Sequence, residues 1–330
     1  MRTFAILAAA CLALALGSCT EHGPDVGGAP HAMSGGGQPS FLGLIAEAPF
    51  RTKFHAHRRV WQQYQALQGP QTLEYTEEVW SDGQGGFAVT PEQLLSPQLS
   101  PAAQQVFLLL QKSRESFVYR LRDFRIRELQ AFLTGYQVQD LGGHFVVAGQ
   151  SCERLQVTPT TPSSSSWELD VLPSNGLVLA VREYSRTGQL VSSVETLEYD
   201  TTKTNTNVHQ DLPTTSFTAA NAQQVLGFAD LQPRFVPGGF QLTASEKLAV
   251  NGENWARYSY TDGAETFFVL HHRDAVVLTD NHDPAGRNPI RIFQVGRWTV
   301  AQASLGRDRL IALGRQPANV LADVLASMRP

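Results

Sequence analysis

The sequence has few cysteines, no excess of positive charge and none of the common catalytic or cofactor motifs. Three of its 330 residues are Cys, and the formal net charge is -4. This balance gives no sign of nucleic-acid binding, which normally requires a basic surface. No His-Glu-x-x-His zinc motif, P-loop or dinucleotide-binding glycine pattern occurs. We therefore expect a protein with no cofactor, no metal site and no nucleic-acid partner.

The first residues are typical of an exported bacterial lipoprotein. Arg2 gives a basic start to an apolar run over residues 4–16, which is too short for a relaxed membrane span. Leu16-Gly17-Ser18-Cys19 then resembles the lipobox, in which small residues admit the lipoprotein peptidase and the cysteine takes a diacylglycerol. The pattern predicts removal of residues 1–18 and lipidation of Cys19. The alternative is an ordinary signal peptide that is cut elsewhere.

The residues after Cys19 bear on location and on mobility. Thr20 is not the aspartate that resembles an inner-membrane retention signal, so we expect a periplasm-facing anchor in the outer membrane rather than the inner. Residues 19–40 contain Gly and Pro with almost no bulky apolar side chain. Such a composition cannot offset the entropy of ordering, and it predicts a flexible tether.

Cys152 has no disulfide partner once Cys11 leaves with the signal and Cys19 is acylated. Strict strand alternation places Cys152 opposite Leu155 and Val157, facing solvent, unless a bulge intervenes. A free thiol exposed in an oxidising compartment is a liability, so we favour a buried Cys152 over a redox sensor. The segment from Gly149 to Glu153 comes within one residue of a nucleophile elbow, but Glu153 replaces the closing glycine.

Beyond residue 40 the pattern predicts two domains, 41–212 and 213–330, divided at the polar stretch over residues 200–213. For the first domain it predicts strands at 73–80, 87–89, 167–172, 177–184 and 190–199, and helices at 101–112, 117–124 and 128–136. For the second it predicts strands at 255–260, 266–271, 298–303 and 309–313, and helices at 219–228 and 319–328. The predicted fold class is α+β.

Several turn and strand motifs carry a family resemblance. They are Val147-Ala148-Gly149-Gln150, the Leu169-Asp170 hairpin with Asn175-Gly176-Leu177, Val236-Pro237-Gly238-Gly239-Phe240, Tyr258-Ser259-Tyr260-Thr261-Asp262-Gly263-Ala264 and Ala312-Leu313-Gly314-Arg315-Gln316-Pro317. Together they resemble the periplasmic regulators of the MucB/RseB type, whose first domain is similar to the lipoprotein carriers LolA and LolB. None of these motifs is catalytic.

The resemblance implies a fold and a function. The fold is a LolA-like antiparallel half-barrel with inserted helices, followed by a smaller sheet-and-helix domain. The implied function is non-catalytic: binding of an anti-sigma-type membrane protein, together with sensing of lipid or lipoprotein acyl chains. A LolA/LolB-like carrier of lipid or lipoprotein is the alternative, and an unrecognised hydrolase is a third.

Two sets of candidate site residues follow. Aromatic residues of the first domain are candidates for an acyl-chain cavity, with plain core as the alternative. They are Tyr75, Trp80, Phe87, Phe107, Phe117, Phe124, Phe145 and Trp167. In the second domain the resemblance indicates Phe240, Asp262 and Gly263 as candidates for partner binding.

Charged residues and histidines leave further alternatives open. One basic helical region either meets lipid headgroups or an acidic partner, or is a solvated face. It comprises Lys112, Arg114, Arg120, Arg122, Arg125 and Arg127. His55 and His57 lie two positions apart and would share a strand face, as metal ligands can. The pairs His271-His272 and His282-Asp283 are further candidates, but none of these pairs has a spaced third ligand. We therefore expect these histidines to be hydrogen-bonded or exposed.

Overall fold

The computed structural model describes most of the chain from residue 41 on. The described residues are 41–66, 69–96, 122–160, 165–204, 208, 214–250, 252–275, 290–295 and 297–328. The predicted signal, Cys19, the tether and the helices predicted at 101–112 and over most of 117–124 lie outside them. The chain divides into two compact units at residue 212.

The first unit is built on one antiparallel sheet. Its strands are β1 (Lys53–Ala66), β2 (Gly69–Asp82), β3 (Phe87–Leu94), β4 (Tyr136–Asp140), β5 (Phe145–Val147), β6 (Gln150–Pro159), β7 (Ser166–Val171), β8 (Val178–Tyr184) and β9 (Leu190–Asp200). The order is β3-β2-β1-β9-β8-β7-β6-β4, and β5 pairs with β6. Val60 lies opposite both Tyr75 and Val194, and all three are buried, so one face of the sheet carries the core.

Two described helices accompany this sheet. Helix α1 (Phe41–Arg51) buries Ile45, Ala46, Ala48 and Pro49. Helix α2 (Leu129–Gly135) begins after Glu128, whose carboxylate accepts hydrogen bonds from the backbone N–H groups of Gln130 and Ala131. An acidic cap at this position satisfies two N–H groups that the helix leaves without partners.

The second unit has its own antiparallel sheet and its own core. Its strands are β10 (Thr215–Ser216), β11 (Gln241–Val250), β12 (Glu253–Thr261), β13 (Thr266–Arg273), β14 (Arg291–Val295), β15 (Trp298–Leu305) and β16 (Asp308–Gly314), in the order β10-β11-β12-β13-β16-β15-β14. Its helices are α3 (Ala222–Leu226) and α4 (Ala318–Ala326). Leu321, Val324 and Leu325 of α4 share a buried cluster with Tyr258 and Val269 of the sheet.

The structure confirms the predicted strands, and it confirms the α2 and α4 helices. Among the elements not predicted from the sequence are α1, β4, β5, β10, β11 and β14, and the helix predicted over residues 219–228 is the shorter α3. The described part of the chain is mostly antiparallel sheet with few helices, which is consistent with the α+β class. None of the described helices combines the length and the apolar character that crossing a membrane requires.

Candidate functional site

A small cavity lies on the core face of the first unit's sheet. It is bounded by Ile45 and Pro49 of α1, by residues 123–125, and by strands β1, β8 and β9. Its volume is about 20 Å³, which is room for about one water molecule. A space of this size has no room for an acyl chain.

Helix α1 is seated directly on the turn between β7 and β8. At Gly176, where φ is +76°, a Cβ atom would lie 2.5 Å from the carbonyl carbon of Leu44. Only glycine accommodates both the positive φ and the close approach of the helix backbone. The Asn175-Gly176-Leu177 motif thus forms the turn and provides the seat for α1.

A buried ionic cluster holds the segment over residues 122–128 to the sheet. It comprises Arg58 of β1, Glu77 of β2, Arg122 and Asp123. Arg122 donates from Nη1 and Nη2 to the two Glu77 carboxylate oxygens, at 2.7 and 2.8 Å, and from Nε to Asp123 Oδ1 at 2.7 Å. Arg58 donates from Nη1 to Asp123 Oδ2 at 2.7 Å and from Nη2 to Glu77. Two cations and two carboxylates therefore form a closed set without net charge.

The ionic cluster stays ionised despite its burial. Burial alone would raise the pKa of both carboxyl groups, but the neighbouring Arg122 and Arg58 outweigh it. The pKa of Glu77 is lowered, and that of Asp123 falls to about 2. Tyr75, which accepts a hydrogen bond from Arg122 at 3.0 Å, has a raised pKa, chiefly because it is buried. None of these groups is thus a proton donor or acceptor near neutral pH.

Arg125 connects the same segment to α1. Its guanidinium lies 5.4 Å from the ring centre of Phe50 and 4.9 Å from that of Phe87. Cation–π contacts of this kind are strengthened where water is excluded. The ionic cluster and Arg125 therefore link residues 122–128 both to the sheet and to α1. We call α1 and residues 122–128 together the cavity cover.

The candidate cavity aromatics have different positions. Phe124 lines the cavity, and Trp167 packs against it with ring centres 5.3 Å apart. Tyr75 and Phe87 are fully buried nearby. Trp80 instead packs on His55, with ring centres 3.9 Å apart, and Phe145 lies under Arg154, whose guanidinium is 3.7 Å from the ring centre. Phe107 and Phe117 lie outside the described residues.

Three residues of the basic region are described, and one of them, Arg127, is partly exposed. Arg122 and Arg125 are buried, so these two charges belong to the interior of the first unit and are not exposed to headgroups or a partner. Lys112, Arg114 and Arg120 lie outside the described residues. The sequence did not reveal the ionic cluster. Glu77 lies far from Arg122 along the chain, and counting charges does not show which charged residues are in contact.

Three residues proposed for partner binding form one corner of the second unit. Asp262 is mostly buried, and its Oδ1 accepts hydrogen bonds from the N–H groups of Ala264 and Glu265 at 3.0 and 2.8 Å. Gly263 has φ of 103°, a value that favours glycine. Phe240 packs edge-on against Phe267, with ring centres 5.2 Å apart, and is only half-buried. Of the three, Phe240 presents the side chain that a partner could reach.

Cys152 is buried, at 2% exposure, and belongs to an apolar cluster with Val147 and Leu172. The preference for a buried thiol is confirmed, whereas the solvent-facing position expected from strict alternation is wrong. Cys152 and Leu155 are both buried although they are three positions apart, a spacing that strict alternation would place on opposite faces of the sheet. Burial raises the pKa of the thiol to about 11. It therefore remains protonated at neutral pH and is a poor nucleophile.

Comparison with known proteins places the fold. The sequence matches no family model and no curated protein. A chain of the Pseudomonas aeruginosa MucA/MucB complex aligns with 88% of this chain and 97% of its own length, at 18% identity and a TM-score of 0.50. MucB in complex with MucA(peri) aligns over 88% and 98%, at 17% identity and a TM-score of 0.49. A LolA superfamily protein from Nitrosomonas europaea aligns over 86% and 96%, at 10% identity and a TM-score of 0.21. The chain therefore has the fold found in the MucA/MucB complex, as its resemblance to the MucB/RseB family predicted.

Proposed function

We propose that this protein is a non-catalytic cell-envelope regulator that binds an anti-sigma-type membrane protein. The observation that carries the proposal is the likeness in fold to a chain of the MucA/MucB complex, which extends over 97% of that chain. Since both units take part in a match of this length, the whole mature chain is the binding protein in this proposal. Lipidation of Cys19 would hold the protein at a membrane surface that faces the periplasm.

In this proposal the partner binds the second unit. The corner of Phe240, Asp262 and Gly263 is rigid because Asp262 closes the turn and Phe240 is braced on Phe267. A rigid, half-exposed aromatic side chain loses little conformational entropy on binding, and aromatic residues are enriched among the strongest contacts of interfaces. We propose Phe240 as the contact residue and Asp262 with Gly263 as its support.

The first unit would supply the response to lipid. Its cavity is closed to acyl chains as it stands, so lipid entry in this proposal is coupled to displacement of α1 and residues 122–128. A ligand that binds only the displaced state shifts the protein toward that state. If the partner binds the closed state, lipid and partner weaken each other, typically by about 1–3 kcal/mol for linked sites.

The test of partner binding uses the chain from residue 20 on and the periplasmic part of an anti-sigma-type membrane protein from the same bacterium. Titration calorimetry should give saturable binding at one partner per chain. Phe240→Ala should weaken it by about 2 kcal/mol or more, the range of interface hot spots. Phe235→Ala is the matched control, because Phe235 is also an aromatic residue of the second unit and is 43% exposed.

Two results would count against the proposal. One is an equal loss of affinity in the Phe235→Ala and Phe240→Ala variants, which would show that Phe240 is not the specific contact residue. The other is the absence of partner binding by a chain that extracts fluorescent lipid from vesicles and delivers it to acceptor vesicles. That second result would replace the regulator with a carrier of the LolA/LolB type.

A further inference from the structure

Two antiparallel strands of the second unit bring a histidine and two carboxylates together. Ala256 on β12 pairs with His271 on β13, and the same register continued places Glu253 beside Asp274. One ligand atom from each of Glu253, His272 and Asp274 lies within 4.8 Å of the other two. His272 is 8% exposed, whereas Glu253 and Asp274 are only partly buried, so the group is reachable from solvent on one side.

The hydrogen bonding of His272 directs one ring nitrogen toward the carboxylates. Its Nδ1 lies 2.6 Å from the backbone carbonyl oxygen of Asn254. Because a carbonyl oxygen only accepts, Nδ1 carries the proton, and the neutral ring presents a lone pair at Nε2. A backbone carbonyl that fixes the tautomer in this way is the usual outer partner of a metal-binding histidine.

The spacing of His272 and Asp274 fits a bound ion better than a direct hydrogen bond. Nε2 of His272 and Oδ1 of Asp274 are 3.5 Å apart, whereas a charge-assisted N–H···O bond is normally about 2.7–2.9 Å long. Zinc binds His nitrogen and carboxylate oxygen at about 2.0–2.2 Å. Two such ligands at the tetrahedral angle are therefore roughly 3.4 Å apart.

Arg309 and Trp255 hold the two carboxylates from outside. Arg309 donates to Glu253 Oε1 at 2.7 Å and to Asp274 Oδ2 at 2.8 Å. The indole N–H of Trp255 donates to Glu253 Oε2 at 3.2 Å, and the Arg309 guanidinium lies 5.1 Å from the Trp255 ring centre. Two carboxylates against one guanidinium leave a net charge of −1, which favours a divalent cation. Oδ1 of Asp274 faces His272, while Oδ2 of Asp274 accepts the hydrogen bond from Arg309.

We propose that Glu253, His272 and Asp274 bind one zinc ion in the second unit. The three side chains supply one nitrogen and two oxygen ligands, and water completes a tetrahedral shell. The ion would tie the start of β12 to the end of β13. Sequence spacing pairs His272 with Asp274 but cannot show Glu253, because the third ligand comes from the neighbouring strand.

The experiment measures zinc bound by untagged protein after equilibrium dialysis, with Co²⁺ absorption as the report on coordination. The wild-type chain should bind one Zn²⁺, prefer it to Mg²⁺, and give the visible spectrum of four-coordinate Co²⁺. His272→Gln and Glu253→Gln should each weaken zinc binding by more than the roughly 10- to 100-fold loss that changes to outer partners cause. Glu253 has a partly exposed side chain, so its replacement is expected to leave the fold intact, as circular dichroism would verify.

His57→Gln is the matched control, because His57 forms a partly exposed pair with Glu92, with Nε2 and Oε2 3.1 Å apart. That variant should bind zinc as the wild type does. The proposal is overturned if the wild-type chain retains no zinc, or if folded His272→Gln and Glu253→Gln proteins retain as much as the control. In either case the three side chains form a hydrogen-bonded cluster around Arg309 and not a metal site.

Discussion

Replacing Glu77 by Gln tests whether the buried ionic cluster fastens the cavity cover. Glu77 has no exposed surface and accepts hydrogen bonds from both Arg58 and Arg122. The substitution removes one of the two carboxylates of the cluster. The NH2 group of the new side chain would also face the guanidinium groups, and two donors cannot form a hydrogen bond with each other. Loss of one partner from a buried ion pair typically costs about 3–5 kcal/mol. Glu77→Gln should lower the free energy of unfolding of the first unit by that amount.

The assay combines urea unfolding with amide hydrogen exchange over residues 122–135. Glu78→Gln is the matched control, because Glu78 is the next residue of β2, points to the other face and lies 3.3 Å from His55. Its side chain is 36% exposed, so that variant should lose no more than about 1 kcal/mol. If the two variants differ by less than about 1 kcal/mol, or if exchange over residues 122–135 is unchanged in Glu77→Gln, the reasoning is wrong.

Three further predictions concern stability and reactivity. Burial lowers the pKa of His271 below its ordinary 6.5, even though Asp308 opposes the shift. The unfolded chain therefore binds this proton more readily than the folded chain. The free energy of unfolding should fall as the pH drops below about 6.5. His271→Gln should flatten that slope in urea titrations. Gly176→Ala should cost well over about 1 kcal/mol, and more than Gly188→Ala, because both glycines have positive φ but a Cβ has free space only at Gly188; equal melting temperatures would exclude the clash. Cys152 should react with a thiol reagent at pH 8 far more slowly in the folded than in the urea-unfolded chain, and equal rates would show that it is accessible.

Much of the sheet could be predicted from the sequence because its signals are local. Turn residues such as Asn175-Gly176 and alternation along residues 177–184 and 190–199 depend only on neighbours in the chain. Helix α1 was missed because Glu47 and Arg51 are its only charged residues and because Pro49, a residue type that usually ends a helix, lies inside it. Strand β11 was missed because its burial is irregular.

The candidate site was harder to predict because its residues meet through tertiary structure. Arg58 lies 19 residues from Glu77 and 65 from Asp123, so no spacing rule joins them. The cavity-lining Ile45 and Pro49 belong to the missed helix. The aromatic residues were visible in the sequence, yet Trp80 and Phe145 turned out to pack on His55 and Arg154, away from the cavity lining, since strand position alone does not fix which contacts an aromatic ring makes.

The buried ionic cluster suits a cover that must sometimes open. Buried ion pairs contribute little net stability compared with apolar packing, because desolvation offsets most of their attraction. They do specify one arrangement, since a displaced charge would be left without its partner. In the proposed lipid response, the arginines and carboxylates displaced on opening would be hydrated, which would offset part of the cost of separating them.

The most direct test of regulation is a titration of the chain with the periplasmic part of an anti-sigma-type partner, with and without a saturating acyl ligand. The account predicts one-to-one binding that the ligand weakens by about 5- to 150-fold, the range for coupled sites. By reciprocity, the partner should weaken binding of the ligand by the same factor. An affinity that is identical with and without bound ligand would contradict the coupling, and no measurable binding of the partner would contradict the proposed function itself.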